Sequence, residues 1–156
     1  MTCFQQLYPL DDRCKNIRGG SRESKVVCFL REHEPKFIHN TTIVTYNCNR
    51  THRRRIDHRM LVDNTIIAVE TDEHQHKYYN KKDEEIRHDD LYMIFSGKWI
   101  FIRFNVDSYS VNGIKKDPPL DSRLKVLLEE IEKHKIRISN DENEGLVEIV
   151  KLYFDE

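Results

Sequence analysis

Several absences narrow what this chain of 156 residues can be. No apolar run approaches the roughly 20 residues that cross a bilayer. The opening stretch, MTCFQQLYPLDDRCK, lacks a basic region followed by an apolar one, so a soluble intracellular protein with no membrane partner is expected. Cysteine is sparse: Cys3, Cys14, Cys28 and Cys48 form no CxxC pair and, without a secretory signal, are expected as free thiols. Cys48 and His52 could be half of a zinc site, but no second pair is visible. No internal repeat is evident. Net charge is −1, so bulk charge argues for no class of partner.

The distribution of charge says more. Residues 50–59 hold five arginines and one acid, whereas residues 83–90 hold five acids and one arginine. A basic block beside an acidic one suits an anionic substrate and a metal, although taken alone the basic block could be a solvated loop. From within the basic block toward the acidic one runs the stretch RRRIDHRMLVDNTIIAVETDEHQH, residues 53–76. Arg55 to Val62 and Thr65 to Asp72 read as two strands, the second rich in β-branched residues, joined by an Asp63-Asn64 turn whose residues tolerate left-handed backbone. Centred there, the turn sets Val62 against Thr65 and, counting back, Asp57 against Glu70. Opposed residues share a face about 5 Å apart, and Asp72, two residues on, shares it too. Like charges so opposed are destabilising, and a bound divalent cation would relieve them. A one-residue slip would separate them, and the alternative is a solvated face whose acids pair with Arg53, Arg54, Arg55 and Arg59.

Around this hairpin the chain reads as an α/β sandwich on a mixed sheet. Residues 1–20 are expected as an arm. Ser21 to His33 is a capped helix with Val26, Val27 and Leu30 on its apolar stripe; Glu23 either favours its N-terminus or points into a site. Phe37 to Tyr46 suits an edge strand. Lys81 to Ser96 reads as a helix, acidic early and apolar late, with Gly97 at its C′ position. WIFIRF, Trp99 to Phe104, is a strand expected parallel to the one before the helix, and Asp107 leaves its carboxyl end, where open α/β sheets place ligands. Residues 110–120 read as loop. Asp121 or Ser122 should cap a helix to Ile138 with a stripe of Leu124, Leu127, Leu128 and Ile131, and a short helix from Gly145 to Phe154 closes the chain. The organisation expected is an arm (1–20), a core (21–112) and a C-terminal helical extension packed on it (113–156).

Acids, a histidine and arginines together are equipment for metal-assisted phosphodiester hydrolysis: metal for the phosphoryl oxygen and water, His76 as proton shuttle, arginines for phosphates. The order RxD, hairpin, ExDExQH, helix, strand ending RFNxD resembles the restriction-endonuclease-like PD-(D/E)xK superfamily, more narrowly the branch of the very-short-patch-repair endonuclease, whose catalytic pattern is written EDxHD. The resemblance covers about Ser21 to Tyr109, and similar runs (RRID, VETDEHQHKYY, FIRFNVDSY) occur in proteins of giant DNA viruses, which would imply a host cytoplasm or nucleus. It implies a restriction-endonuclease-like fold and a Mg²⁺-dependent DNA endonuclease (Mn²⁺ substituting) that would nick as a monomer or make paired cuts as a homodimer. It implies catalytic roles for Glu23, Asp57, Glu70, Asp72, His76 and Asp107, and metal ligation by Asp57, Glu70, Asp72 and the Thr71 carbonyl. Arg53, Arg54, Arg55, Arg59, Gln75, Lys77 and Arg103 would meet nucleic acid. The superfamily's usual lysine is absent, Asp72 standing in its place, which also fits a module that binds nucleic acid without cutting. A retaining glycosidase would suit two carboxylates about 5 Å apart, but the neighbours are arginines and there is one tryptophan. A zinc hydrolase using His74 and His76 is opposed by the dominance of carboxylates.

Overall fold

A computed structural model of the chain describes residues 22–47, 50–73, 90–91 and 93–156, with the backbone alone at 42–47 and 50–54. The elements in order are α1 (Arg22–His33), β1 (Ile38–Asn47), β2 (Arg50–Val62), β3 (Thr65–Asp72), β4 (Lys98–Asn105), β5 (Tyr109–Val111), β6 (Ile114–Lys116), α2 (Leu120–Ser139) and β7 (Val147–Leu152). Among the described residues, five strands form one mixed sheet in the order β1-β2-β3-β4-β7, and β5 pairs with β6 apart from it. β1, β2 and β3 are successively antiparallel; β4 runs parallel to β3, as expected for a strand reached by a crossover, and β7 runs parallel to β4. The expected arm and residues 81–89 and 92 of the expected helix lie outside the described residues; positions 90, 91, 93 and 94 are helical, and 95 and 96, expected in the helix, are not.

Burial on both sides follows from this order. Every residue of β3 except Ile66 is buried, the pattern of a central strand covered on two faces. On one face Ile67 and Val69 of β3, Met60 of β2 and Ile100, Ile102 and Phe104 of β4 pack with Val26 and Leu30 of α1 and Leu124, Leu127, Ile131 and Ile138 of α2. On the other, Ile56, Ala68, Trp99 and Phe101 pack with Leu91. Fully burying such side chains contributes roughly 1.5–3 kcal/mol each. The two helices are cross-linked by Lys135, whose Nζ lies 2.9 Å from the buried Glu34 carboxylate.

Four local expectations are corrected. The segment expected as a closing helix is strand β7: VEIVKL alternates with period two and carries two valines and an isoleucine, and its residues are alternately exposed and half-buried. Within residues 110–120, expected as loop, residues 110–116 join Tyr109 in a hairpin whose Asn112 and Gly113 have φ of 52° and 76°, the pair of positive angles of a type I′ turn. The α2 helix begins after Pro119, with no side chain capping it; Ser122 Oγ donates back to the Pro119 carbonyl at 2.7 Å. Gly97 does not take a left-handed C′ conformation. It is needed for room, because a Cβ there would meet the Phe95 ring and lie 2.6 Å from the Asn64 carbonyl oxygen of the β2–β3 turn.

That last contact yields a stability prediction. Phe95 can swing aside, but the Asn64 carbonyl is fixed by the Lys98 N–H that it accepts at 2.9 Å. Gly97→Ala should destabilise the fold by about 1–3 kcal/mol, the range for overpacking. A urea midpoint equal to that of the parent chain would contradict the steric account.

Candidate functional site

The hairpin register is the expected one: Val62 faces Thr65, and the ladder runs back to His58 facing Val69. There it stops. Asp57 is not a ladder partner of Glu70; its Oδ2 instead accepts the Thr71 N–H at 3.0 Å. A strand N–H lies in the plane of the sheet, so the carboxylate occupies the gap where β2 leaves β3. The same position is irregular on the β1 side. His39 pairs with His58 and Thr41 with Ile56, but Asn40 and Asp57 between them do not pair, and Asn40 has a φ of 51°. Asn40 Oδ1 accepts from Arg55 Nη2 at 2.7 Å.

A reversal of faces goes with this kink. Met60 packs with Ile67 and Val69, whereas Ile56 packs with Ala68 and Trp99 on the opposite face. Four residues along an unbroken strand would place both on one side. The alternation of β2 therefore inverts between them, at Asp57. This corrects the expectation that Asp57 and Glu70 are direct ladder partners: the count of residues is right, but the strand is not regular where the count ends.

Several other expected residues lie at the carboxyl ends of β3 and β4. Glu70 and Asp72 are buried and, two apart on β3, share a face. Arg103 stands beside Glu70 in the β3–β4 register, and its Nε donates to Asp72 Oδ2 at 2.6 Å. Asp107, after β4, accepts from Arg22 of α1 at 2.8 Å, and Arg22 also bonds the Val106 carbonyl. That contact brings the first turn of α1, with half-buried Glu23, to the carboxyl end of β4. Arg59 donates to the Thr41 carbonyl at 3.0 Å. The side chains of Arg53, Arg54 and His52, and all of Cys48, His74, Gln75, His76 and Lys77, lie outside the described residues. Among the described residues no three histidine, cysteine, aspartate or glutamate side chains are grouped to hold a metal ion. Asp57 accepts from a peptide N–H and Asp72 from a guanidinium, so these two members of the expected trio are not bare carboxylates.

Sequence reasoning missed two supporting groups. His58 is fully buried, its Nδ1 3.0 Å from His39 Nδ1 and its Nε2 3.4 Å from Thr71 Oγ1. One proton fits between two Nδ1 atoms, so the two rings cannot both be charged in this arrangement. Burial chiefly, then the neighbouring His39 and Arg31, push the His58 pKa down to about 3, and burial likewise lowers that of His39. The second is Arg123, a buried guanidinium donating to the Asp107 carbonyl at 2.8 Å and paired with Asp117 at 3.3 Å. Burial lowers its pKa, opposed by Asp117. Asn105, also buried, completes the seat: its Oδ1 accepts the Asp107 N–H at 2.9 Å and its amide nitrogen donates to the Asp107 and Tyr153 carbonyls. Position 123, three residues after Leu120 and four before Leu127, falls on the apolar stripe of α2. An arginine there was the readable signal.

Comparisons with protein-family models, with curated proteins and with solved structures return no match for this chain.

A pH dependence follows from His58. In the fold it stays neutral down to about pH 3, whereas in the unfolded chain it takes a proton below its ordinary value of about 6.5. Unfolding therefore binds a proton throughout that window, and stability should fall as pH drops from about 6.5 toward 3. Urea midpoints at successive pH values should show this slope, and His58→Gln, which removes the titration, should flatten it. Equal slopes in the two proteins would remove the histidine from the account.

Proposed function

We propose that the chain is a metal-dependent endonuclease acting on phosphodiester bonds, with Asp57 at the centre of its site. The observation that carries this reading is the Asp57 carboxylate lodged beside the Thr71 peptide at the point where β2 and β3 part. Glu70 and Asp72 lie on the adjoining strand, and Asp107 and the start of α1 lie at the same sheet end. The donor set is carboxylate and peptide oxygen, the chemistry of a hard cation such as Mg²⁺, which uses one or two carboxylates and takes the rest of its shell from water and substrate phosphate. Asp57 and Glu70, with the Thr71 carbonyl, would hold it. When bound it would polarise the phosphoryl oxygen and acidify a coordinated water.

The chain's own residues supply the rest. Arg103 brings positive charge from the neighbouring strand to the position where the resemblance leads one to look for a lysine, and donates to the buried Asp72 side chain. Arg55, exposed on β2, can meet phosphate, and Asn40 orients it. His76, four residues beyond Asp72, is the proton shuttle of the proposal.

One observation favours a second reading. With Asp72 already neutralised by Arg103 and no three-ligand group among the described residues, the same surface could bind nucleic acid without cutting it.

Supercoiled plasmid incubated with Mg²⁺, Mn²⁺ or EDTA separates the two. The endonuclease reading expects metal-dependent open circles, abolished in Asp57→Asn, which keeps an acceptor for the Thr71 N–H and so spares the fold. His76→Ala should slow nicking by about 10²- to 10⁴-fold, the range for a general acid or base. Full nicking by Asp57→Asn would end the assignment. Mobility shifts without cleavage under any metal would transfer it to the binding module.

A further inference from the structure

The β5–β6 hairpin has no role in the fold described above. It leaves the carboxyl end of β4 four residues after Asn105 and stands apart from the main sheet. Its partners are Tyr109 with Lys116, Ser110 with Lys115, and Val111 with Ile114. Opposed residues share a face, so Tyr109, Val111, Ile114 and Lys116 line one side and Ser110 and Lys115 the other. Ile114 is 66% exposed, an apolar side chain that buries little, and Lys115 and Lys116 are exposed beside it.

The ribbon is nevertheless stiff. Its turn is type I′, matched to the twist of paired strands. Its outer edge is braced at Ser110, which donates its N–H to Asp155 Oδ1 at 2.8 Å and accepts the Glu156 N–H at 3.0 Å. The Tyr109 ring lies 5.5 Å from that of Tyr153. Residues 109–116 contain two lysines and no acid. The acid that follows, Asp117, is paired with Arg123.

We infer that this ribbon is a groove-reading element for double-stranded B-form DNA. Asn112 and Ile114 at its tip would meet base edges, and Lys115 and Lys116 the flanking phosphates. A two-stranded ribbon fits the major groove of B-form DNA, about 12 Å wide, and the deep narrow major groove of duplex RNA excludes it. Asparagine and an aliphatic group are the side chains suited to adenine and to the thymine methyl. The inference rests on the nucleic-acid reading of the site but not on its catalysis.

The test is fluorescence anisotropy of the full chain in EDTA, on a DNA duplex and on the RNA duplex of the same sequence, titrated with salt. The parent chain should prefer DNA. Lys115→Ala with Lys116→Ala should weaken DNA binding about uniformly across sequences and reduce the salt slope by about 2, since each phosphate contact contributes about 0.9. Asn112→Gly, which keeps the left-handed turn, together with Ile114→Ala should lower affinity severalfold with the slope unchanged. All four positions are exposed, and unchanged thermal midpoints check that the fold is intact. Parent-like affinity and slope in both variants, equal binding to RNA, or no duplex binding by the parent chain would each overturn the inference. DNA binding through the ribbon with no cleavage under any metal would uphold it while removing the endonuclease reading.

Discussion

A carboxylate hydrogen-bonded to a peptide N–H, Asp57 on Thr71, is the contact on which this architecture turns. An antiparallel ladder continued through that point would have set two acids against each other across β2 and β3. The chain avoids this by letting β2 leave the ladder one residue early and filling the gap with the carboxylate itself. A buried or half-buried N–H without an acceptor would be expensive; here the acceptor is charged, which makes the bond stronger than the neutral one it replaces. The kink is also what lets Ile56 join Trp99 and Phe101 while Met60 joins the helices, so one irregularity serves both cores.

The remaining carboxylates at that end follow the same principle. Asp72 has the Arg103 guanidinium and Asp107 has Arg22, so like charges are brought near one another without being left to repel. Behind them is a rigid frame: Arg123 and Asn105 fix the backbone of the β4–β5 connection, and the His39–His58 pair holds β1 to β2 beside the kink. Both devices bury polar groups and satisfy most of their bonding capacity internally, which restricts the number of alternative arrangements open to the loops they hold.

The parts of this design that were legible in the sequence are those set by pattern over several residues. The Asp63-Asn64 turn fixed the hairpin register, β-branched content marked β3, and the crossover rule made β4 parallel to it. What was not legible depends on single side chains acting on backbone. The same count that correctly set Val62 against Thr65 failed five residues away, because an aspartate can replace a main-chain acceptor and no periodicity records that. Strand β7 was misread because six residues of mixed polarity suit a short helix or an edge strand equally until a neighbouring edge, that of β4, is there to be paired. His58 was passed over as one histidine among eight; only burial distinguishes it.

These contacts bear on how a cation would be received. A preassembled trio of bare carboxylates would bind metal tightly and pay for it in stability whenever the metal left. Here Asp57 and Asp72 each already have a donor, so an ion entering the proposed site would compete with Arg103 for Asp72 and leave the Thr71 N–H its hold on Asp57. In the proposed site, such an arrangement would be weak toward a free ion and would strengthen when the ion arrived with the additional negative oxygens of a phosphodiester. The same phosphate offers Arg103 an alternative anion, which would release Asp72 at the moment substrate is present. If the proposed reading holds, the Arg103–Asp72 ion pair would act as a gate, coupling cation binding to substrate binding by as much as phosphate can replace Asp72 as the partner of Arg103.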